Sequence, residues 1–366
     1  MQKKIIALAI ASALTMPALA TAAPTVYGDV RVAYEITDTG SATTGTGVTA
    51  AKRNQVADNF SRLGFKGSED LGNGLTGIYQ MEGRVMTDIG ASNLFSENTY
   101  LGLAGSFGTV SLGNHYTPYR MSTRGLDVFG YSTADNRSLM GMTSTGISQD
   151  ATFTDVLAYM SPDFNGFSFA AAAVGSNDNT LGTYASSAAA ELSATSISAK
   201  YGMDNWSVIV GNQTITADDS VTPTNEGELT ATKIAGTYAM DMFTVGLVYE
   251  MLSDKDNTGA KTDRNNIYLA GTYNVSDMGT VKLAFTQAGT LDVAGTETKN
   301  SGATQVSLGY DHAMTENTTL FATYTSIAND TAANYGLTNA GSTAGGQAVT
   351  ADDDPSAISF GVRHSF

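Results

Sequence analysis

Arg31, Arg62, Lys66 and Arg84 recur at matching parity in three successive stretches where apolar and polar residues alternate. Alternate side chains of a β-strand point to opposite faces, so one face gathers the apolar residues and the other gathers these charges. In residues 27–36, Val30, Val32, Tyr34 and Ile36 share one face, and Asp29, Arg31, Ala33 and Glu35 share the other. With Leu63 and Phe65 outward, Arg62 and Lys66 turn inward; with Tyr79 and Met81 outward, Gln80, Glu82 and Arg84 do the same. The rule also sends Lys200, Lys233, Lys282 and Arg363 inward. Cations ranked across neighbouring strands break no bond, but around an aqueous passage a ring of charge sets which ions pass. On a lipid-facing surface each would cost about 2–4 kcal/mol at the bilayer midplane, so energy and parity agree on their direction.

The acidic counterparts expected at such a passage are Glu82, on the third stretch, and Asp127 and Asp135, in the long segment from Tyr116 to Thr154. That segment also carries Asp150, Arg120, Arg124 and Arg137, so two partnerships stay open: the acids face the basic wall, or they pair with arginines of their own segment. Further acids cluster between strands at Asp218, Asp219, Glu226, Glu228, Asp254, Asp256 and 352–354. Negative mouths concentrate cations, which predicts a mild cation preference despite the basic wall.

Other chemistry has little support. With no Cys in 366 residues there are no disulfides, thiolate ligands or thiol nucleophiles. His115, His312 and His364 stand on separate stretches, and neither a Gly-rich phosphate loop nor a nucleophile elbow appears. No metal, cofactor or enzymatic activity is therefore expected. Asp254–Gly259 faintly echoes a calcium loop, but Asn265 stands where a bidentate glutamate is needed. A net charge of −16 repels nucleic-acid phosphates.

The elements that must position the charges are strands, because helical periodicity is almost absent after the first residues. Period-2 segments of roughly ten residues are separated by breaks of two alternating lengths. Seven short breaks, such as Asp70–Gly74, Asp163–Gly166 and Ser276–Gly279, carry hairpin residues that tolerate positive φ. Eight long ones, among them 38–57, 117–153, 176–190, 217–228 and 329–354, are polar and acidic. Such asymmetry predicts an all-β transmembrane antiparallel barrel of about 16 strands, with short periplasmic turns and long extracellular loops.

Both ends agree. Lys3 and Lys4, an apolar run from Ile5 to Leu14, and small residues through Ala22 read as a cleaved signal peptide over 1–22, leaving one domain over 23–366. The last strand places Ile358, Phe360, Val362 and Phe366 on one face and ends the chain there. An open, half-apolar edge invites aggregation, whereas a barrel closes it against the first strand.

Several blocks resemble the trimeric Gram-negative general diffusion porins. They are 26–34 (VYGDVRVAY), 61–75 (SRLGFKGSEDLGNGL), 79–82 (YQME), 99–105 (TYLGLAG), 107–113 (FGTVSLG), 115–118 (HYTP) and the terminal Phe366. The resemblance covers essentially the whole chain after residue 22, although its specific blocks lie in the first five strands and the last. It implies a homotrimer in the outer membrane, in contact with lipid and lipopolysaccharide. It also implies a third loop folded inward to narrow each pore, with charges facing each other across the narrowing. Parity then puts Arg31, Arg62, Lys66 and Arg84 on the basic side of the constriction, Arg62 from within the resembling block 61–75, with Asp127, Asp135 and Glu82 expected on the acidic side. Phe366 is then both the closing residue and the signal read by the barrel assembly machinery. Two positions depart from the pattern: Tyr100 and Asn114 stand where relatives often carry arginine, which predicts a weaker basic cluster.

Three functions remain open on sequence: passive diffusion of ions and small hydrophilic solutes, a substrate-selective channel such as one for oligosaccharides, and a barrel adhesin or enzyme. A sugar channel needs a lumenal aromatic ladder. The single Trp206 falls on the lipid side, though Tyr116, Tyr119, Phe129 and Tyr131 could form a short greasy patch.

Overall fold

The computed structural model describes residues 23–40, 52–141, 148–177, 190–219, 227–256, 258–338 and 342–366. Sixteen wall strands follow one another in antiparallel order. They are β1 (Thr25–Asp38), β2 (Lys52–Asp58, resumed as Arg62–Gly72), β3 (Leu75–Met86), β4 (Thr99–Gly105), β5 (Gly108–Tyr116) and β6 (Thr152–Met160). Next come β7 (Phe167–Asn177), β8 (Ala190–Met203), β9 (Trp206–Asp219), β10 (Gly227–Met240) and β11 (Phe243–Asp256). The last are β12 (Lys261–Asn274), β13 (Gly279–Ala288), β14 (Ala303–Ala313), β15 (Thr318–Asn329) and β16 (Ser356–Ser365). Strand β16 pairs with both β15 and β1, from Asp29↔Ser365 to Asp38↔Ser356, so no sheet edge is left open.

The closing seam is built from the terminal residue. Gly28 and Phe366 exchange backbone hydrogen bonds of 3.0 and 3.1 Å. A Cβ on Gly28 would lie 2.4 Å from the Phe366 ring, so only glycine leaves room for the aromatic that ends the chain. Ile358, Phe360, Val362 and Phe366 are exposed on the outer face, beside Tyr34 and Ile36 of β1. His364, the polar side chain on this face, bonds to Thr318 Oγ1 at 2.9 Å at the short-turn end.

The outer surface is what a bilayer requires. Leu101, Leu112, Leu283 and Leu308 are exposed in its middle, and Phe107, Phe164, Tyr201 and Trp206 ring the short-turn end. Short turns are made by residues that accept a left-handed backbone, including Asn73 (φ 53°), Asn165 (φ 57°) and Asp204 (φ 47°).

Two features differ from the sequence expectation. The first long loop is shorter than 38–57, because Lys52–Asp58 is strand and pairs with β1 from Asp38↔Lys52 to Val32↔Asp58. This part of β2 is rich in polar residues and lies toward the loop end, where no lipid imposes an apolar face, so alternation does not mark it. The strand then breaks at Asn59–Ser61, where Phe60 takes φ 65° and Asn59 N–H donates to the Arg31 carbonyl. The expected signal segment 1–22, the cores of several long loops, and the side chains of Asp218 and Asp219 lie outside the described residues.

The interior is not uniformly polar. Lumen-facing Ile209, Ala235, Val248, Ala270 and Ala284 pack against Leu126, Phe129, Ala134 and Met140 of the third loop. The loop is therefore a wall-mounted insert with its own apolar core, lying against β9–β13.

Candidate functional site

The third loop enters the barrel after β5 through a capped helix. Thr117 Oγ1 accepts the Arg120 N–H, Pro118 occupies the first turn, and α1 runs over Pro118–Arg124. Tyr119, fully buried, donates to Glu250 on β11 at 2.6 Å. Glu250 also accepts from Gly141 N–H at 2.9 Å and from Asn266 at 2.8 Å. Lys233 of β10 lies between Asp150 (3.0 Å) and Glu250 (3.6 Å). The Phe129 ring covers Gly309 so closely that a Cβ there would meet it at 2.6 Å. The loop is thus fastened to one side of the lumen, and the narrowing lies against the other.

Asp127 and Asp135 hold this loop in shape. Asp135 accepts from Arg124 (3.1 and 2.5 Å), from the Arg137 side chain (2.9 and 2.8 Å) and from the Tyr131 N–H (2.8 Å). Burial would raise its pKa, but the two guanidinium groups hold it well below the usual carboxylate range. Asp127 accepts the N–H groups of Phe129 and Asn136, the Tyr268 hydroxyl at 3.0 Å, and Arg124 at 3.4 Å. Burial and the adjacent Asp135 carboxylate bring it up to about 6 against the pull of Arg124. Of the two partnerships open on sequence, the contacts made are those with loop arginines.

The basic wall lies on β16, β1, β2 and β3. Arg31 grips Asp29 with two bonds of 2.9 Å and reaches across to the loop, donating to the Gly130 carbonyl at 3.1 Å. Arg363 is its cross-strand neighbour and shares Asp29 at 3.1 Å, which offsets the repulsion between the two cations. Arg62 pairs in register with both Asp29 and Arg84, yet its nearest carboxylates, Asp29 and Glu82, are 3.9 and 4.0 Å away. Arg84 lies 3.7 Å from buried Asp58. Glu82, placed on the acidic side by sequence, stands on this same wall and accepts the Tyr27 hydroxyl at 2.9 Å. Lys66 lies apart, two periods of alternation nearer the short-turn end than Arg62, with its ammonium 5.0 Å from the Tyr27 ring.

Sequence reasoning missed the centre of the cluster. Tyr131 of the loop stacks on Phe60 with ring centroids 4.7 Å apart. Around its ring stand Arg124 (4.4 Å), Arg62 (5.1 Å), Arg31 (5.2 Å) and Arg137 (5.7 Å). Arg84 covers Phe60 at 4.2 Å. The anticipated greasy patch does not form. Tyr119 and Phe129 face the far wall, and Tyr116 donates to Glu97 beneath Arg120. The one available signal for Tyr131 was its place between Gly130 and the acid-and-arginine run 135–137; nothing in the sequence links it to Phe60. Arg124 and Arg137 of the loop join the basic cluster, two residues that strand parity did not place there.

A lumenal cavity of about 560 Å³ opens beside the cluster. Its charged lining is five basic side chains, Arg62, Lys66, Arg124, Lys200 and Arg363, against one carboxylate, Glu82. A closed, lipid-faced barrel with a narrowed, charged aqueous lumen is built for permeation, and known proteins agree. Outer membrane porin protein 32 of Delftia acidovorans is 28% identical over 385 residues, covering 100% of both chains. A major outer membrane protein P.IB of Neisseria gonorrhoeae is 30% identical over 170 residues, 46% of this chain and 47% of that one. Among solved structures, the anion-selective porin from Comamonas acidovorans superposes with a TM-score of 0.75 at 21% identity, covering 94% of this chain and 99% of that one. The trimer form of OmpT from Vibrio cholerae gives 0.66 at 18% identity, covering 94% and 99%. The sequence profile of the Gram-negative porin matches residues 7–332. The chain belongs to the Gram-negative porin family and forms an outer-membrane channel for passive diffusion.

Proposed function

We propose that this channel passes small hydrophilic solutes and favours anions over cations at its narrowing, where Arg31, Arg62 and Arg84 act with Arg124 and Arg137. The five-to-one excess of basic over acidic side chains around the lumenal cavity carries this assignment. Exposure supports it as well: the side chains of Asp58, Asp127 and Asp135 are fully buried, while Arg62 keeps 21% and Arg363 46% of their surface. Water in the narrowing therefore meets mainly guanidinium groups, with Asp58, Asp127 and Asp135 behind them. This reverses the mild cation preference expected from loop acidity, because the narrowest charged ring controls selectivity more than the wide mouths do. The solved neighbour from Comamonas acidovorans is itself an anion-selective porin. Zero-current potentials across a KCl gradient test the assignment: an anion-selective sign is expected, and a cation-selective sign overturns it.

The protein works as a homotrimer in contact with membrane lipid and lipopolysaccharide. It is exported by a cleaved segment 1–22, and the barrel assembly machinery inserts residues 23–366 by reading Phe366. The trimer form of OmpT supports the oligomer, and the exposed seam aromatic supports the last role. Three equal conductance steps per insertion are expected. The relatives are porins, channels rather than enzymes.

A further inference from the structure

We propose that Tyr131 is the specificity-determining residue of the narrowing: its ring arrays the guanidinium groups of Arg31, Arg62, Arg124 and Arg137, and ionisation of its phenol subtracts one unit of charge from that array. The proposal rests on the anion-preferring assignment above.

Four like charges within a few ångströms of one point repel; Asp29 and Asp135 offset part of that repulsion from behind, and a further carboxylate would cancel the field that remains. An aromatic face attracts each cation without carrying net charge. Tyr131 provides that face, with all four guanidinium carbons 4.4–5.7 Å from its centroid. Its position is fixed on three sides. Phe60 stacks beneath it, the Asp135 carboxylate holds its N–H at 2.8 Å, and its own backbone adopts φ 67°. A non-glycine residue with this φ is held there by its surroundings. Tyr131 also lines the lumenal cavity together with Arg62 and Arg124 of the array, so these two guanidinium groups and the ring face permeating ions.

The phenol is surrounded by opposing groups from every element packed on it. Cations come from β1 (Arg31), β2 (Arg62), β3 (Arg84, across Phe60), α1 (Arg120 and Arg124) and the turn after Asp135 (Arg137). Acids are Asp127 and Asp135 on its own loop, with Asp29 and Glu82 on the wall; Tyr116 is a second phenol that interacts with it. Burial alone would raise the phenol, but Arg62, Arg124, Arg120 and Arg137 outweigh it and bring it down to about 7. Below that value the phenol is neutral and the array keeps the net positive charge left after its pairing with Asp29 and Asp135. Above it, tyrosinate removes one charge and the preference for anions falls.

The test compares wild type with Tyr131→Phe in planar bilayers, by KCl zero-current potentials at about pH 6 and about pH 8.5. The phenylalanine ring keeps the plate and loses only the ionisable oxygen. Wild type should lose about twofold of its chloride-to-potassium permeability ratio on going to the higher pH, the effect on both ions of one unit charge at roughly 8 Å in water, screened over about one Debye length. Tyr131→Phe should keep only the small drift from Asp127, which both proteins share. Ultraviolet difference spectra of detergent-solubilised protein should show one tyrosine near neutrality in wild type and none in the variant. Tyr131→Leu should lower the ratio at both pH values. Identical pH profiles for wild type and Tyr131→Phe overturn the proposal. A cation-selective wild type at low pH overturns the anion assignment instead, while the difference between the two profiles still reports on Tyr131.

Discussion

Lys233 and Arg62 obey the same parity rule on opposite walls of one lumen, and they do different things. Lys233 is 3% exposed, clamped between Asp150 and Glu250 under the third loop. Arg62 is 21% exposed, and its closest carboxylates are at 3.9 and 4.0 Å, loose contacts with water at hand. On the β9–β13 wall the loop excludes water, and each charge there must be paired. On the β16–β3 wall water remains, pairing is partial, and residual positive charge reaches the lumen. The difference is made by what covers each wall. A lumen-facing charge in a barrel is structural where a loop seals it from water among carboxylates, as at Lys233, and functional where the loop only touches it, as at Arg62.

The comparison breaks most visibly on the covered wall. Glu250→Ala leaves buried Lys233 with Asp150 as its remaining carboxylate and leaves Tyr119, Gly141 and Asn266 without their acceptor. Removing one partner of a buried pair costs about 3–5 kcal/mol. The expected result is a lower thermal midpoint in detergent and faster proteolysis within the third loop. On the open wall, Arg31→Gln with Arg62→Gln removes the Asp29 and Gly130 contacts but leaves Arg363 on Asp29, so it should lower the thermal midpoint less than Glu250→Ala and cut the chloride-to-potassium ratio by about two- to fivefold. Lys66→Gln sharpens the boundary. It sits about 13 Å along the strand from Arg62, beyond a Debye length, so its effect on the ratio should stay below about 1.5-fold.

The smallest effect concerns the loop clasp. Asp127 is raised from 3.8 to about 6, so its ionised form is the disfavoured one in the folded loop. The cost of ionisation is absent below about pH 4 and fully present above about pH 6, so loop stability falls as pH rises through that window. Hydrogen exchange at the Phe129 and Asn136 amides should be slower at pH 5 than at pH 7 after correction for intrinsic rates.

Much of the barrel was legible because lipid imposes period 2. Leu63 and Phe65, Tyr79 and Met81, and Val208 and Val210 each marked an outer face, and their neighbours turned inward. Asn73, Asn165 and Asp204 marked turns because few residues accept a left-handed backbone. The early part of β2 was hidden because Lys52–Asp58 lies beyond the lipid-imposed pattern. The site was less legible than the wall. Parity reports that Lys233 and Arg62 face inward, but not that the loop covers one of them. Ala235, Ala270 and Ala284 look like ordinary small lumenal residues until Leu126 and Phe129 pack on them. The Tyr131–Phe60 stack joins residues 71 positions apart through a break in β2, a contact with no local periodicity to announce it.

The most direct test of the two-wall account is the zero-current potential of wild type beside Arg31→Gln/Arg62→Gln in the same KCl gradient. The account predicts an anion-selective potential for wild type that moves toward zero in the variant. A cation-selective wild type, or an anion-selective potential unchanged by loss of both arginines, would contradict it.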